Sequence, residues 1–239
     1  MKSGRRYGSE DSAVRAQLLD AAEQLMLDEG YAAVTSRRLA AKAGLKQPLV
    51  YYYFRTMDDL FLEVFRRMSE QGLVRLEEAL KAEQPIRALW DLYSDQSRTA
   101  LTMELLALAN HRKVVQAEIA RAAEHFRTLE VKALDRLFKE RGISPQIPSL
   151  VVTLLLTSLA RGLVQEGALG ISKGHAPTLA FVEACLRDFE ATGGAYGPVA
   201  EMIKAQQRLK SRLAASQSAA KRKARTEPRL TLLRRASRS

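Results

Sequence analysis

Apolar positions recur every three or four residues along most of this chain, and long alternating stretches are rare. Val14, Leu18, Ala21, Ala22, Leu25 and Met26 form one stripe, which predicts an amphipathic helix from Ser12 to a left-handed glycine cap at Gly30. Thr35 has the chemistry of an N-cap, since its hydroxyl can accept from a free backbone N–H of the next helix. That helix is short, about 36–42, with Leu39, Ala40 and Ala43 facing inward. Gly44 supplies a tight turn, and Pro48 opens a third helix near Gln47, where its missing N–H breaks no bond. Thr56-Met57-Asp58-Asp59 reads as a capping box. Behind it, apolar residues from Leu60 to Leu80 predict a long helix ending near Glu83. Pro85 starts another helix, and further ones are predicted over 98–110, 113–140, 147–167 and 175–191. Gly142, Pro145 and Pro148 mark one boundary, and Gly167, Gly170 and Gly174 another. The predicted fold class is all-α with about nine helices. The expected parts are a flexible basic arm at 1–11, a three-helix head at 12–55, a helical body at 56–191 and a basic, disordered tail at 192–239.

Composition changes this picture in two places. The chain has 239 residues and a net charge of +11, yet residues 192–239 alone carry 12 Lys and Arg against 2 Glu. The globular part is nearly neutral, so overall basicity says nothing about what the folded part binds. A single cysteine, Cys185, excludes an internal disulfide and a thiolate zinc site. The opening residues carry no apolar stretch, and the run Ile147–Leu159 is short for a membrane span and is followed by Arg161. A cytoplasmic protein without a membrane partner is expected.

The chemistry lies in the stretch from Thr35 to Phe54. Short helix, glycine turn, short helix is the helix-turn-helix plan, whose second helix enters the major groove. At about 100° per residue, Val50 and Phe54 share the inward face of that helix. Tyr52, Pro48 and Leu49 then face base edges, Tyr51 and Tyr53 reach toward flanking phosphates, and Gln47 can offer its amide to an adenine. Three consecutive tyrosines span about 200° and cannot all be buried.

Gly30-Tyr31, Thr35, Leu39-Ala40, Ala43-Gly44-Leu45, Tyr51, Tyr53-Phe54 and Leu60 together resemble the signature of the TetR repressor family, over roughly residues 14–65. The resemblance implies base contacts from Arg37, Gln47, Pro48, Leu49 and Tyr52, and phosphate contacts from Thr35, Ser36, Lys46, Tyr51 and Tyr53. The sequence departs from the pattern at Lys46, where a serine or threonine cap is usual, and at Met57, where a phosphate-binding lysine is common. Lys46 or Arg55 would replace the second contact. The resemblance further implies a repressor, released from a palindromic double-stranded operator by a small, largely apolar ligand. It also implies a homodimer joined through the helices near 147–167 and 175–191.

Trp90, Tyr93, Met103, Leu106, Asn110 and Phe126 are the ligand-pocket candidates, although the same residues would suit a packed core. His111, His125 and His175 form no metal-binding spacing, and no Walker loop or GxGxxG occurs. No catalytic residue, metal or cofactor is expected. Two rivals from other classes are an all-α enzyme and an architectural protein bound to DNA through the tail, and an activator is a variant of the leading reading.

Overall fold

The computed structural model describes residues 9–142 and 147–192, together with Arg208 and Ser211. The residues of the expected arm before Ser9, Pro145, and the expected tail apart from Thr192, Arg208 and Ser211 lie outside them. Among the described residues there are nine α-helices and no strand. They are α1 (Ser9–Glu29), α2 (Ser36–Lys42), α3 (Gln47–Tyr53), α4 (Met57–Lys81), α5 (Pro85–Ser94), α6 (Thr99–His111), α7 (Lys113–Glu140), α8 (Ser149–Ala168) and α9 (His175–Thr192). Short 3-10 turns occupy Tyr31–Ala33 and Gln96–Arg98.

Local chemistry explains the boundaries. Thr35 accepts from the Arg38 N–H at 3.3 Å, and Thr56 and Asp59 exchange side-chain and backbone bonds in a reciprocal capping box. The reading at Gly30 needs correction. Its φ of 82° is paired with a ψ of 161°, so it is not a left-handed cap but an extended conformation essentially reserved for glycine. The first helix also starts earlier than Ser12, at Ser9.

The structure divides into two compact units, Met1–Ala176 and Pro177–Ser239. In the first, one continuous core runs from the head into the body. Leu18, Leu25 and Met26 of α1 and Leu39 of α2 join Leu60 and Val64 of α4, Leu105 and Leu108 of α6 and Val115 of α7. The stripe on α8 is unusual. Its buried positions are Ser149, Thr153, Thr157, Ala160 and Val164, while Leu150, Val151, Leu155 and Leu159 are exposed. Small residues let α8 pack closely on α5 and α7, and the leucines are left facing out. In the second unit, Val182, Leu186 and Phe189 of α9 are buried, while Leu179 and Phe181 are exposed.

The apolar run at 147–159 passes into a longer helix, α8. The helix continues past Arg161 to Ala168, and with an 18-residue window of mean hydropathy 1.3 its 20 residues are long and apolar enough to cross a membrane by length and composition alone. Only 22% of that apolar window is buried within the molecule.

Candidate nucleic-acid interface

The head positions α3 by a few firm contacts. Val50 and Phe54 are only 1% and 2% exposed and anchor one face of the helix in the core. Gly44, at φ 65°, makes the turn, and the Leu45 N–H closes it onto the Ala40 carbonyl at 2.9 Å. From α1, the Gln17 amide donates to the Ala43 carbonyl at 2.8 Å and fixes the turn against the first helix.

With that face buried, the opposite one is outside. Lys46, Gln47, Pro48, Leu49, Tyr51 and Tyr52 of the turn and α3 are exposed, as are Thr35 and Arg37 at the start of α2. Tyr53 is half-buried and meets the Tyr52 ring edge-on, with centroids 5.0 Å apart. Tyr52, at 43% exposure, is a large aromatic standing in solvent beside Pro48 and Leu49. Lys46 stands at the N-cap of α3 without a side-chain cap bond, since an ammonium has no acceptor to offer the free N–H groups there.

Ser36 sits apart from the other candidates. It is buried, and its Oγ accepts from Gln47 Nε2 at 2.9 Å while lying 3.0 Å from the Tyr51 hydroxyl. Its own hydrogen is thereby available to the Tyr51 oxygen. In this structure Ser36 braces two exposed side chains of α3 from beneath.

The head is tied to the body within the same unit. The Tyr31 N–H donates to Glu104 of α6 at 2.7 Å, and a Cβ on Gly30 would lie 3.4 Å from the same carboxylate. Tyr31 also stacks on His111 at 6.3 Å between centroids. Arg67 on α4 reaches Asp20 and Glu23 of α1 at 2.6 and 2.7 Å. Nothing in the local sequence marks Glu104 as a partner of the head, because the contact joins residues 73 positions apart.

A cavity of about 260 Å³ opens where α4, α5, α6, α7 and α8 converge. Tyr93 and Phe126 line it, but Trp90, Met103, Leu106 and Asn110 do not. The reason is helical phase. Leu101, Leu105, Leu108 and Ala109 take the buried side of α6, which leaves Leu106 and Asn110 exposed and Met103 half-buried. Trp90 is spent in the core with Ile86 and Leu89. Sequence reasoning missed Phe65, Met68 and Gly72 of α4 and the arginines Arg75, Arg98 and Arg161. Gly72 was the available signal, since a glycine inside a helix costs roughly 1 kcal/mol against alanine and invites a reason.

Behind the cavity wall, the Tyr93 hydroxyl donates to Glu130, which is 3% exposed, and the Arg161 guanidinium lies 4.5 Å over the Tyr93 ring. Burial raises the Glu130 carboxyl above its ordinary range, against the pull of Tyr93, Arg161 and Arg127. Burial and the Glu130 charge also push the Tyr93 phenol up. Among the described residues, no group of three or more His, Cys, Asp or Glu side chains could hold a metal ion.

Residues 18–64 match the family model described as bacterial regulatory proteins, tetR family. The chain is 31% identical over 85 residues to the HTH-type transcriptional activator FasR of Mycolicibacterium smegmatis, covering 34% of this chain but only 39% of that protein's length. It is 23% identical over 170 residues to the HTH-type transcriptional regulator AcrR of Shigella flexneri, covering 67% of this chain and 79% of that one. Among solved structures it is similar to the transcriptional regulator FadR from Bacillus subtilis in complex with stearoyl-CoA, with a TM-score of 0.55, 17% identity and coverage of 65% and 87%. At that identity the likeness speaks for the fold alone.

Proposed function

Because residues 18–64 match the family described as bacterial regulatory proteins, tetR family, we propose that the chain is a member of that family and a non-enzymatic transcriptional repressor whose operator affinity is lowered by a small ligand. The observation that carries this reading is α3, which buries Val50 and Phe54 while presenting Gln47, Pro48, Leu49 and Tyr52 on an open face. Such a helix has the width to enter a major groove. Arg37 shares the base-reading role, and Thr35, Lys46, Tyr51 and Tyr53 contact phosphates. Ser36 takes part through Gln47 and Tyr51.

The cavity is the ligand site in this reading. One helix, α4, begins at the end of the head and carries Phe65, Met68, Gly72 and Arg75 into the cavity wall. A ligand that fits better when the heads stand too far apart for DNA lowers operator affinity by its differential affinity for the two states, and by no more. The exposed leucine face of α8 supports a homodimer. A twofold dimer presents two reading helices.

Selection of bound sequences from random DNA tests this. The expected product is an inverted repeat with half-site centres about 34 Å, or a multiple of that, apart. Full affinity for a single half-site would overturn the dimeric reading, and no enrichment at all would overturn sequence-specific recognition.

A further inference from the structure

The apolar part of the cavity is ordinary, but its charge is not. Three arginines, Arg75, Arg98 and Arg161, line it against one carboxylate, Asp95. That carboxylate is already saturated. It holds Arg75 at 2.5 Å and accepts from the Ser97 N–H at 2.9 Å and the Ser97 hydroxyl at 2.8 Å. Arg98 is held by neutral groups, the Met68 carbonyl at 3.5 Å and the Gln71 side chain. Arg161 lies over the ring of Tyr93. Asp95 offsets Arg75, and Arg161 feels the buried Glu130 carboxyl behind Tyr93, so Arg98 is the guanidinium of this wall that neutral groups alone hold in place. Ser69, Thr99, Thr102 and Gln165 add neutral hydrogen-bonding groups, and Phe65, Ile119, Phe126 and Val164 supply apolar surface.

We propose that this cavity takes a small anionic amphiphile, its carboxylate or phosphate head paired with Arg98 and Arg161 and its short hydrocarbon part covered by Phe65, Ile119 and Phe126. The proposal rests on the reading of the cavity as the ligand site and revises the expectation of a largely apolar ligand. A neutral apolar molecule would strip water from the arginines and give nothing back, which is costly for a charged group. A cationic one would meet like charge. A planar guanidinium matches the two oxygens of a carboxylate or phosphate. The volume, about 260 Å³, suits an eight-carbon chain with its head at the mouth.

The test is calorimetric titration of the full chain with octanoate, octyl phosphate, octan-1-ol and octylamine. The anions should bind saturably, at least about tenfold tighter than the alcohol, as a charge-assisted bond allows. The amine should bind more weakly still. Whichever anion binds tighter names the head group. Arg98→Gln and Arg161→Gln should each remove most of the preference for anion over alcohol. Arg161 is exposed, so its replacement leaves the fold intact even if Arg98→Gln does not. Gly72→Leu should weaken alcohol and anion alike by filling the wall. The first added carbon at Gly72 meets Phe126 at an ordinary 3.5 Å. Equal affinity for alcohol and anion, an unchanged preference in both arginine variants, or octanoate binding that survives Gly72→Leu would overturn the proposal. Failure of any anion to bind would also overturn it while leaving operator recognition standing. Anion binding as described with operator affinity unchanged would instead keep the site and remove its regulatory role.

Discussion

The Ser36 hydroxyl holds two exposed side chains at once, and its burial makes that bracing its main work. Replacing it by alanine leaves Gln47 and Tyr51 without their shared partner, at a stability cost of about 1 kcal/mol. Affinity for the selected operator should fall more than affinity for random DNA, because loosened side chains read bases poorly but still meet phosphates. Equal losses on both DNAs would return Ser36 to the phosphate class. Tyr52→Ala should cost roughly 1–3 kcal/mol on the operator and relax one or two base pairs. A second residue-scale effect comes from Glu130. Its carboxyl titrates above the ordinary 4.5 because it is buried, so the folded chain holds the proton where the unfolded chain has lost it. Stability must then fall as pH rises from about 4.5 through the raised native value. Glu130→Gln keeps an acceptor for the Tyr93 hydroxyl and removes the charge, so it should flatten that decline and raise the melting temperature at neutral pH. A steeper decline in the variant would show that ionised Glu130 stabilises the fold through Arg161 and Arg127.

At the scale of elements, the start of α4 is where local chemistry is most complete. Thr56 and Asp59 close a reciprocal box at the junction between the head and the helix that reaches the cavity. Thr56→Ala should cost about 1 kcal/mol, within a range of roughly 0.5–2, as measured by denaturant midpoint. A change of only a few tenths would mean that packing of Leu60 and Phe61 sets this boundary instead. The same locality decides what could be read from sequence. Thr35, Gly44, Pro48 and the Thr56 box act within a few residues, so α2, α3 and α4 were legible with their starts, as was the buried pair Val50 and Phe54 on α3. Gly30 showed its need for glycine but not its ψ, which depends on the approach of Glu104 from α6. The facing of α6 was hidden because its apolar residues surround most of the helix, and only packing on α1 and α7 chose Leu101, Leu105 and Leu108 over Met103 and Leu106. The cavity arginines come from α4, the 96–98 turn and α8, and no short window of sequence contains two of them.

At the scale of the whole molecule, α8 poses a question that a lone chain cannot answer. Its inward stripe is serine, threonine and alanine up to a single Val164, while Val151, Leu155 and Leu159, spaced four apart, line the outside. Leucine is the better core residue, so a helix that turns hydroxyls inward and leucines outward is built to be covered on its leucine side. A second copy of the same helix offers a matching apolar face, as a twofold interface requires. Leu155 is 63% exposed, so its replacement by glutamate should leave the packing within the chain unchanged. In a dimer it would place like charges near the axis. Sedimentation equilibrium should therefore report a dimer for the natural chain and a monomer for Leu155→Glu, with helix content retained. The loss on DNA should be large and specific. Two linked heads bind a second half-site at high effective concentration, and a monomer forfeits that gain without losing any contact of α3. Affinity for the full operator should drop by about 10²-fold or more, to the level of an isolated half-site. A variant that remains dimeric and keeps full operator affinity would show that the leucine face of α8 is not the interface. A natural chain that is monomeric in water but partitions onto phospholipid vesicles, with Leu155→Glu abolishing the partition, would assign that face to lipid.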